Sequence, residues 1–396
     1  MSVAVTGMGI ICAIGHGADE VWESISNYRS GIASAKGLNT QLSKSHVFGQ
    51  VQLTNSQLIN HIGEEASHFS RTSLLSILAI KEALNSSGIS ENEIDGLITG
   101  TTVGGMDCSE NFFSEWIQKD DNSRINALLT HSCGNTTTRA AHFLGINGKL
   151  ETICTACSSS ANSIMVGKRM IESGRYHRVI VGGVDPLTAF TANGFNSLMI
   201  LDPLHTRPMS GDRKGLNLGE GAAYLILESE DSAKQRGVEQ LGLITGCGNM
   251  NDAYHSTASS PDGDGAYLSM SKALDMAGIT TLEVDYINAH GTGTPNNDAS
   301  ESKAVERVFG AKVPSISSTK GFTGHTLGAA GAIEAVLSLL AIKHQKVLPN
   351  YNYSEPMPET EWEPVKTITD QRIDHVMSNS FGFGGNNSTL IISRAN

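Results

Sequence analysis

The stretch Ile153-Cys154-Thr155-Ala156-Cys157-Ser158-Ser159-Ser160 places a cysteine between a short β-branched run and a series of small, hydroxyl-bearing residues. This pattern predicts a strand over Ile153–Thr155, a turn at Cys157 and a helix over Ser158–Ser173. A thiol at a helix N-terminus is favoured as thiolate by the helix dipole and by free backbone N–H groups. We therefore predict that Cys157 is a nucleophile rather than a buried structural cysteine.

A related arrangement recurs in the second half of the chain. Residues 94–101 and 284–291 each predict an apolar strand that has an aspartate near its start and leads into a Gly/Thr turn. Downstream, Lys320 and His325 precede a small-residue helix predicted over Gly328–His344, as Cys157 precedes its own helix. Both reactive turns are then expected on one side of the molecule, at the carboxyl ends of strands. We predict two similar halves, residues 1–239 and 240–396, within one covalent unit.

Short apolar runs alternate with helix-length amphipathic segments, which predicts an α/β protein with mainly parallel or mixed sheets. One such helix is predicted over Ser70–Ser87, with Gly88 ending it. The remaining predicted strands are Val3–Thr6, Asp95–Gly100, Val179–Gly183, Ala222–Leu227, Tyr286–Ala289, Ser315–Ser318 and Thr389–Ile392.

The bulk composition excludes several classes of function. The net charge of −12 disfavours general binding to nucleic acid or to anionic membranes, because both are polyanions that select basic surfaces. The sequence has neither a run of 18 apolar residues nor a secretory signal pattern, so we predict a cytoplasmic protein that does not bind membranes. The six cysteines are scattered, which favours free thiols over a disulfide framework.

No metal or cofactor is expected. Cys154 and Cys157 form a C-x-x-C, but there is no second such pair and no histidine cluster at zinc-ligand spacing. The paired glycines at 104–105, 182–183 and 384–385 match neither nucleotide-binding pattern of glycines.

Two histidines lie in glycine-rich turns of the second half. His290 directly follows an apolar strand, so its ring is expected in a cleft, and His325 follows Lys320 by five residues across two glycines. The loop Ser380–Asn387 offers backbone N–H groups, one of which can form an oxyanion hole with that of Cys157. A nucleophilic thiol with two imidazoles and an ammonium indicates carbon–carbon or acyl-transfer chemistry on a thioester.

Taken in order, these motifs resemble those of the β-ketoacyl-[acyl-carrier-protein] synthases, condensing enzymes of the thiolase superfamily. The resemblance extends from Val3-Ala4-Val5-Thr6-Gly7-Met8-Gly9 to Asn379–Asn387. It implies a thiolase-like five-layered αβαβα fold, a dimer and no cofactor. It also implies a decarboxylative Claisen condensation of an acyl thioester with malonyl-acyl carrier protein. The product would be a 3-ketoacyl-acyl carrier protein in fatty acid or polyketide/aryl-polyene chain elongation.

The resemblance also implies a role for each matching residue. Cys157 would carry the acyl chain, while His290 and His325 would hold the malonyl thioester carbonyl as carbon dioxide departs. Lys320 would anchor His325 electrostatically. The other implied roles are support of the polar network by Glu301, gating by Phe383, and contact with the substrate's pantetheine arm by Thr292, Thr294 and Phe381.

Some motifs depart from the family pattern. The usual R-P-F-D-x-x-R-D-G-F segment is altered at 207–216, and the usual G-G-T-N loop end reads Gly384-Gly385-Asn386-Asn387. The helix that often begins with basic residues for carrier docking begins with the acidic stretch 64–68 instead. A specialised pathway is thereby favoured. Arg207 is the first candidate for docking an acidic carrier protein, with Arg71 and Lys214 behind it.

Other classes of protein fit less well. A non-catalytic chain-length-factor subunit, which pairs with a ketosynthase in a heterodimer, would lack the nucleophile, and this chain has Cys157. A thiolase would need a second cysteine in the C-terminal motifs, but the last cysteine is Cys247. A cysteine peptidase would use one histidine and have no need of Lys320. Whether the partner subunit is identical or a ketosynthase-like homologue is left open by the sequence.

Overall fold

The computed structural model describes residues 2–66 and 68–395; Ser67, in the acidic stretch 64–68, lies outside the described residues. The first half contains the strands β1 (Val3–Cys12), β2 (Gly15–His16), β3 (Ile32–Ala33), β4 (Phe48–Gly49), β5 (Gly96–Gly100), β6 (Lys149–Ile153), β7 (Arg178–Asp185) and β8 (Gly221–Ser229). Its helices are α1 (Ala18–Ser26), α2 (Asn55–Ile62), α3 (Arg71–Ser87), α4 (Met106–Lys119), α5 (Cys133–Leu144), α6 (Ser159–Glu172), α7 (Ala189–Ser197) and α8 (Glu230–Arg236).

The second half repeats the alternation of strands and helices. Its strands are β9 (Gly242–Asn251), β10 (Tyr286–Asn288), β11 (Ser315–Ser317), β12 (Lys346–Val347), β13 (Thr369–Asp370), β14 (His375–Gly382) and β15 (Asn386–Ser393). Its helices are α9 (Asp264–Ala277), α10 (Pro295–Phe309), α11 (Lys320–Thr323) and α12 (Ala330–His344).

Eleven strands in the described part of the chain form one sheet in which the two halves have the same strand order. The first half runs β6-β5-β7-β8-β1 and the second β11-β10-β14-β15-β9, with β2 beside β1. In each half the first three strands of this order pair in parallel, and the fourth and fifth strands each pair antiparallel with the strand before them. The halves join where β1 pairs antiparallel with β9. The fold is therefore built from two similar halves, while the exact division at residues 239 and 240 stays a prediction.

Helices pack in three layers around the two halves of the sheet. Helices α3 and α5 cover the outer face of the first half, and α9 and α10 cover that of the second. Between them, α6 and α12 pack on each other and on both halves of the sheet. The order of layers is αβαβα, which confirms the predicted fold class.

Most of the predicted elements are present, with one strand displaced. Helix α3 has Ser70 as its N-cap and Gly88 in the left-handed conformation at its end, as predicted. The strand predicted over Ile153–Thr155 is wrong in position, since β6 ends at Ile153. Three residues further on, Ala156 adopts a positive φ of 53°, outside the β region, and the chain turns there toward α6.

The central helix α12 is apolar on all sides because it lies in the core. In the part of the chain that the structure describes, Leu327–His344 is the one helical stretch long and apolar enough to cross a membrane, yet 89% of it is buried inside the protein. At Gly331 a Cβ would lie 2.8 Å from the Cβ of Ala161 on α6. The close approach of the two central helices therefore requires the small residues noted in the sequence.

Candidate active site

The nucleophile lies on a tightly bonded turn between β6 and α6. Ala156, at its positive φ, precedes Cys157, and α6 begins two residues later at Ser159. The Ser159 hydroxyl accepts from the backbone N–H of Thr155 and donates to the carbonyl of Ala156. These local bonds hold the buried thiol of Cys157 at the N-terminus of the helix, as the sequence predicts.

Two influences act in opposite directions on the Cys157 thiol. Burial raises its pKa to about 12, since a desolvated thiolate is costly, and nearby Asp185 acts in the same direction. Lys320 and the backbone N–H groups of Phe383 and Cys157 act to lower it. Burial therefore favours the protonated sulfur, in contrast to the thiolate expected from the helix N-terminus alone. The two N–H groups beside the sulfur can receive negative charge that develops during a reaction.

His325 is the base nearest to the nucleophile. Its Nε2 lies 3.0 Å from Cys157 Sγ, across 168 residues of sequence. The backbone of His325 is held on both sides, because its N–H donates to Asn217 O and its carbonyl accepts from Gly219 N. Hydrogen bonds of the His325 backbone thus position its imidazole beside the sulfur.

His290 is positioned by Glu301. The two carboxylate oxygens of Glu301 accept from the backbone N–H groups of His290 and Gly291, both at 2.8 Å. Asn379 also donates to Glu301 and in turn accepts from Thr389. Burial raises the pKa of Glu301 to about 7, against the lowering effect of these donors. The predicted supporting role of Glu301 is thus consistent with a buried contact to the His290 turn.

Lys320 makes direct contact with two side chains of the site. Its buried ammonium forms an ion pair with Glu334 and donates to His290 Nδ1 at 3.4 Å. Because an ammonium can only donate, Nδ1 of His290 is the acceptor and Nε2 carries the proton of the neutral ring. Lys320 thus contacts His290 directly and acts on His325 through its charge, and the electrostatic anchoring of His325 by Lys320 stays a prediction.

Both imidazoles are held neutral. Burial lowers the pKa of His290 well below its ordinary value, and the charges of Lys320 and His325 lower it further. Burial, followed by Lys320, does the same for His325. The rings lie edge to face with centroids 5.3 Å apart. The site thus presents two neutral imidazoles beside one ammonium.

The sequence analysis missed Glu334. This residue lies in the middle of α12, is buried, and pairs with Lys320, while burial raises its pKa to about 7. Its backbone carbonyl also accepts from Asn288 at the end of β10. A single acid within the apolar run Ala329–Ile342 was the available signal, since a buried carboxylate needs a partner.

An apolar cavity of about 250 Å³ opens onto these groups. Thr292 and Thr294 line it and hydrogen-bond to each other at 2.9 Å. Phe383 stacks on Phe195 with ring centroids 5.6 Å apart. The predicted residues that line it are Cys157, His290, His325, Thr292, Thr294, Phe381 and Phe383. The structure therefore brings the predicted nucleophile, histidines and pantetheine contacts to one cavity.

The predicted docking residues do not line this cavity, and they differ in how free their side chains are to bind a partner. Arg71 makes a two-point contact with buried Glu220 and also bonds to the carbonyl of Leu53, so it is committed to internal acceptors. These internal contacts disfavour the predicted docking role of Arg71, which stays a prediction. Arg207 pairs with Asp212 and keeps 21% of its side chain exposed, and Lys214 is exposed.

The arrangement supports acyl chemistry at sulfur. Within residues 2–66 and 68–395, no group of three His, Cys, Asp or Glu side chains is placed to hold a metal ion. A thiol beside a neutral imidazole can form a thioester, and two backbone N–H groups can bind the oxyanion of the intermediate. The Nε2–H of His290 is a further donor, separate from the two backbone N–H groups, for a developing negative charge.

Comparisons with known proteins agree with this chemistry. The family model for the β-ketoacyl synthase N-terminal domain matches residues 1–233, and the model for the C-terminal domain matches 241–354. The chain is 36% identical over 408 residues to 3-oxoacyl-[acyl-carrier-protein] synthase 2 of Staphylococcus aureus (strain COL), covering 99% of this chain and 98% of the relative.

Two solved structures share the whole fold. The ishigamide ketosynthase/chain length factor is similar with a TM-score of 0.94 and 30% identity, covering 100% of this chain and 99% of that one. A type II PKS acyl-carrier protein in complex with its ketosynthase bound to a hexaketide gives a TM-score of 0.87 and 26% identity, with coverage of 100% and 99%.

Proposed function

Because this chain belongs to the β-ketoacyl synthase family of acyl-transferring condensing enzymes, we propose that it joins an acyl thioester to malonyl-acyl carrier protein by decarboxylative Claisen condensation. The observation that carries this proposal is the pairing of Cys157 Sγ with His325 Nε2 at 3.0 Å in a cavity that also holds His290.

In the first step the acyl chain moves from its carrier to Cys157. Sγ attacks the acyl carbonyl carbon, its proton passes to His325, and the carrier thiol leaves with a proton. The backbone N–H groups of Cys157 and Phe383 stabilise the oxyanion, and each such donor contributes about 10² to 10³ to the rate. A resting thiol with its pKa raised to about 12 has to be deprotonated as it attacks, which the adjacent base allows.

In the second step the malonyl group loses carbon dioxide. The electron pair of the breaking carbon–carbon bond forms an enolate, whose thioester oxygen accepts from imidazole N–H groups. His290 suits this role because Lys320 holds its Nδ1 and so leaves the proton on Nε2. The enolate carbon then attacks the Cys157 thioester, and the sulfur departs to give a 3-ketoacyl product.

We infer that the partners are an acidic acyl carrier protein and a second ketosynthase-like subunit, identical or not, in the cytoplasm. Relatives named for an acyl carrier protein and a structural neighbour paired with a chain length factor support this inference. A specialised polyketide or aryl-polyene pathway is proposed from the altered segment at 207–216. The thiol beside His325 argues against a purely non-catalytic, chain-length-factor role.

The proposal is tested by intact-mass analysis of the protein after incubation with a panel of acyl carriers, followed by malonyl-carrier. We expect acylation confined to Cys157 and release of a 3-ketoacyl-carrier together with carbon dioxide. Absence of any acyl-enzyme across the panel would reject the proposal, and the preferred chain would identify the pathway class.

A further inference from the structure

Asn386 lies where the sequence departs from the usual family pattern, directly after the turn Phe383–Gly385. It is the first residue of β15 and pairs with Gly382, the last residue of β14. The turn between them contains Gly384 and Gly385, both with φ near 75° to 78°. This hairpin end carries the Phe383 N–H beside the Cys157 sulfur.

The side chain of Asn386 reaches across to the helix of the nucleophile. Its Oδ1 accepts from the hydroxyl of Ser158 at 2.7 Å, from Asn162 Nδ2 at 3.0 Å and from Asn249 Nδ2 at 2.8 Å. Ser158 is the neighbour of Cys157, and Asn162 lies one turn further along α6. One amide oxygen thus joins β15, β9 and the first turn of α6.

The same contacts hold the strained part of the nucleophile turn. Asn162 Nδ2 donates to Thr155 Oγ1 at 2.8 Å, and the Ser158 hydroxyl also lies 2.7 Å from the Thr155 carbonyl. Thr155 and Ser158 flank Ala156, whose φ is positive, and Cys157 itself. A positive φ in a residue with a Cβ persists only where surrounding contacts over-determine it.

We propose that Asn386 is a positioning residue that fastens the Phe383 hairpin to the Cys157 turn, so that both N–H groups of the oxyanion hole keep a fixed distance. This inference rests on the proposed function. The two N–H groups come from segments 226 residues apart (383 and 157), and the chain between them does not fix their separation. The hairpin is bound on its other side, where Gly384 N donates to Ser256 O and Asn251 donates to Gly384 O. On the side that faces the nucleophile, Asn386 joins the hairpin to Ser158.

The test compares two half-reactions in the variant Asn386→Ala. Acylation of Cys157 by an acyl N-acetylcysteamine thioester, followed by intact mass, uses the oxyanion hole. Decarboxylation of malonyl-carrier, followed by carbon dioxide release, uses the histidines. We expect acylation to slow about 10- to 100-fold, somewhat less than loss of one oxyanion donor. Decarboxylation should change less than about threefold, which also shows that the variant is folded.

Two further variants make the result specific. Ser158→Ala removes the same contact from the opposite side, together with the contact of its hydroxyl to Thr155, so it should slow acylation as Asn386→Ala does. Because the two variants share one contact, the double variant should be slowed by less than the product of the two single effects. Ser388→Ala is the matched control, because the Ser388 hydroxyl bonds to Asn162 and Asn249 in the same cluster and forms no hydrogen bond with the side chain of Asn386. It should leave acylation within about threefold of the parent.

Several outcomes overturn the inference. Equal losses in both half-reactions would make Asn386 a general structural residue. Additive effects of Asn386→Ala and Ser158→Ala, or an equal loss in Ser388→Ala, would show that the fastening contact is not what matters. Absence of acylation in the parent protein would reject the proposed function instead, so the two failures are distinguishable.

Discussion

The two halves of the molecule share one strand order but not one chemistry. In the first half the turn after β6 carries the thiol of Cys157, followed by a helix whose first turn is rich in hydroxyls. In the second half the corresponding turn, after β11, carries Lys320 and leads to His325. The turn after β10 adds His290, whereas its counterpart after β5 carries Thr101 and Thr102, which bond to Asp185.

This difference shows how a repeated scaffold supports an asymmetric site. Within each half the parallel strands end at one edge, and the packing of α6 on α12 near their N-termini brings the turns that precede these two helices together. The nucleophile then comes from one half and the charge-handling groups from the other. The comparison predicts that loss of Cys157 in the first half and loss of His290 in the second half impair different half-reactions.

The largest expected effect is at Cys157. Cys157→Ala should abolish both acyl-enzyme formation and condensation, because no other group takes the acyl chain, and intact mass measures this directly. The second-half histidines remain, so malonyl decarboxylation should persist, as also in Cys157→Gln. Acylation persisting on exposed Cys154 would contradict the assignment, and Cys154→Ala is the matched control.

The next effect is expected at the histidines of the second half. His290→Ala or His325→Ala should reduce malonyl-dependent carbon dioxide release by about 10² to 10³ per lost oxyanion donor. Some acylation of Cys157 should survive, most clearly in His290→Ala, since His290 does not contact the sulfur. Equal loss of both half-reactions in His290→Ala would contradict the hypothesis that His290 serves decarboxylation more than acylation.

A smaller, pH-dependent effect is expected at Lys320. In the parent, the pKa values of His290 and His325 lie well below 6.5, so decarboxylation should not vary between about pH 6 and pH 8. Lys320→Met removes one cause of that lowering, so the histidine pKa rises and the rate falls as the pH is lowered. Each unit by which the pKa exceeds the assay pH costs about tenfold in neutral imidazole.

The control for Lys320 is a buried lysine of the first half. Lys168 is buried on α6 and pairs with Glu172, without contacting either histidine. Lys168→Met should leave the pH profile of decarboxylation flat. A profile that shifts equally in both variants would assign the effect to general loss of packing.

The smallest effect is expected at Arg207. Arg207→Glu should raise KM for acyl-carrier substrates severalfold, more at low salt, because the charge acts within a screening length of about 8 Å. A small carrier-free thioester should react as before. The exposed pair Arg29–Glu23 offers the control Arg29→Glu. Equal impairment with both kinds of substrate would make Arg207 structural.

The sequence predicted the parts of this molecule that depend on local pattern. The strand–turn–helix units around Cys157, His290 and Lys320 were readable because apolar runs, glycines and small residues mark them. The partner of Lys320 was not readable, because the ion pair with Glu334 depends on which face of α12 is turned toward Lys320 on α11. The internal pairing of Arg71 was unreadable for a similar reason, since its acceptor Glu220 lies 149 residues away.

The wide separation of the site residues also has a consequence for synthesis. A chain emerging from the ribosome exposes Cys157 long before His325 and Phe383 exist, and domains fold from the N-terminus as units. Until β14 and β15 have been added to the sheet, the thiol has neither its base nor its second N–H neighbour. A nascent or truncated chain therefore carries an ordinary cysteine. Acylation that depends on His325 and on the Phe383 N–H is therefore expected only after the C-terminal strands are in place.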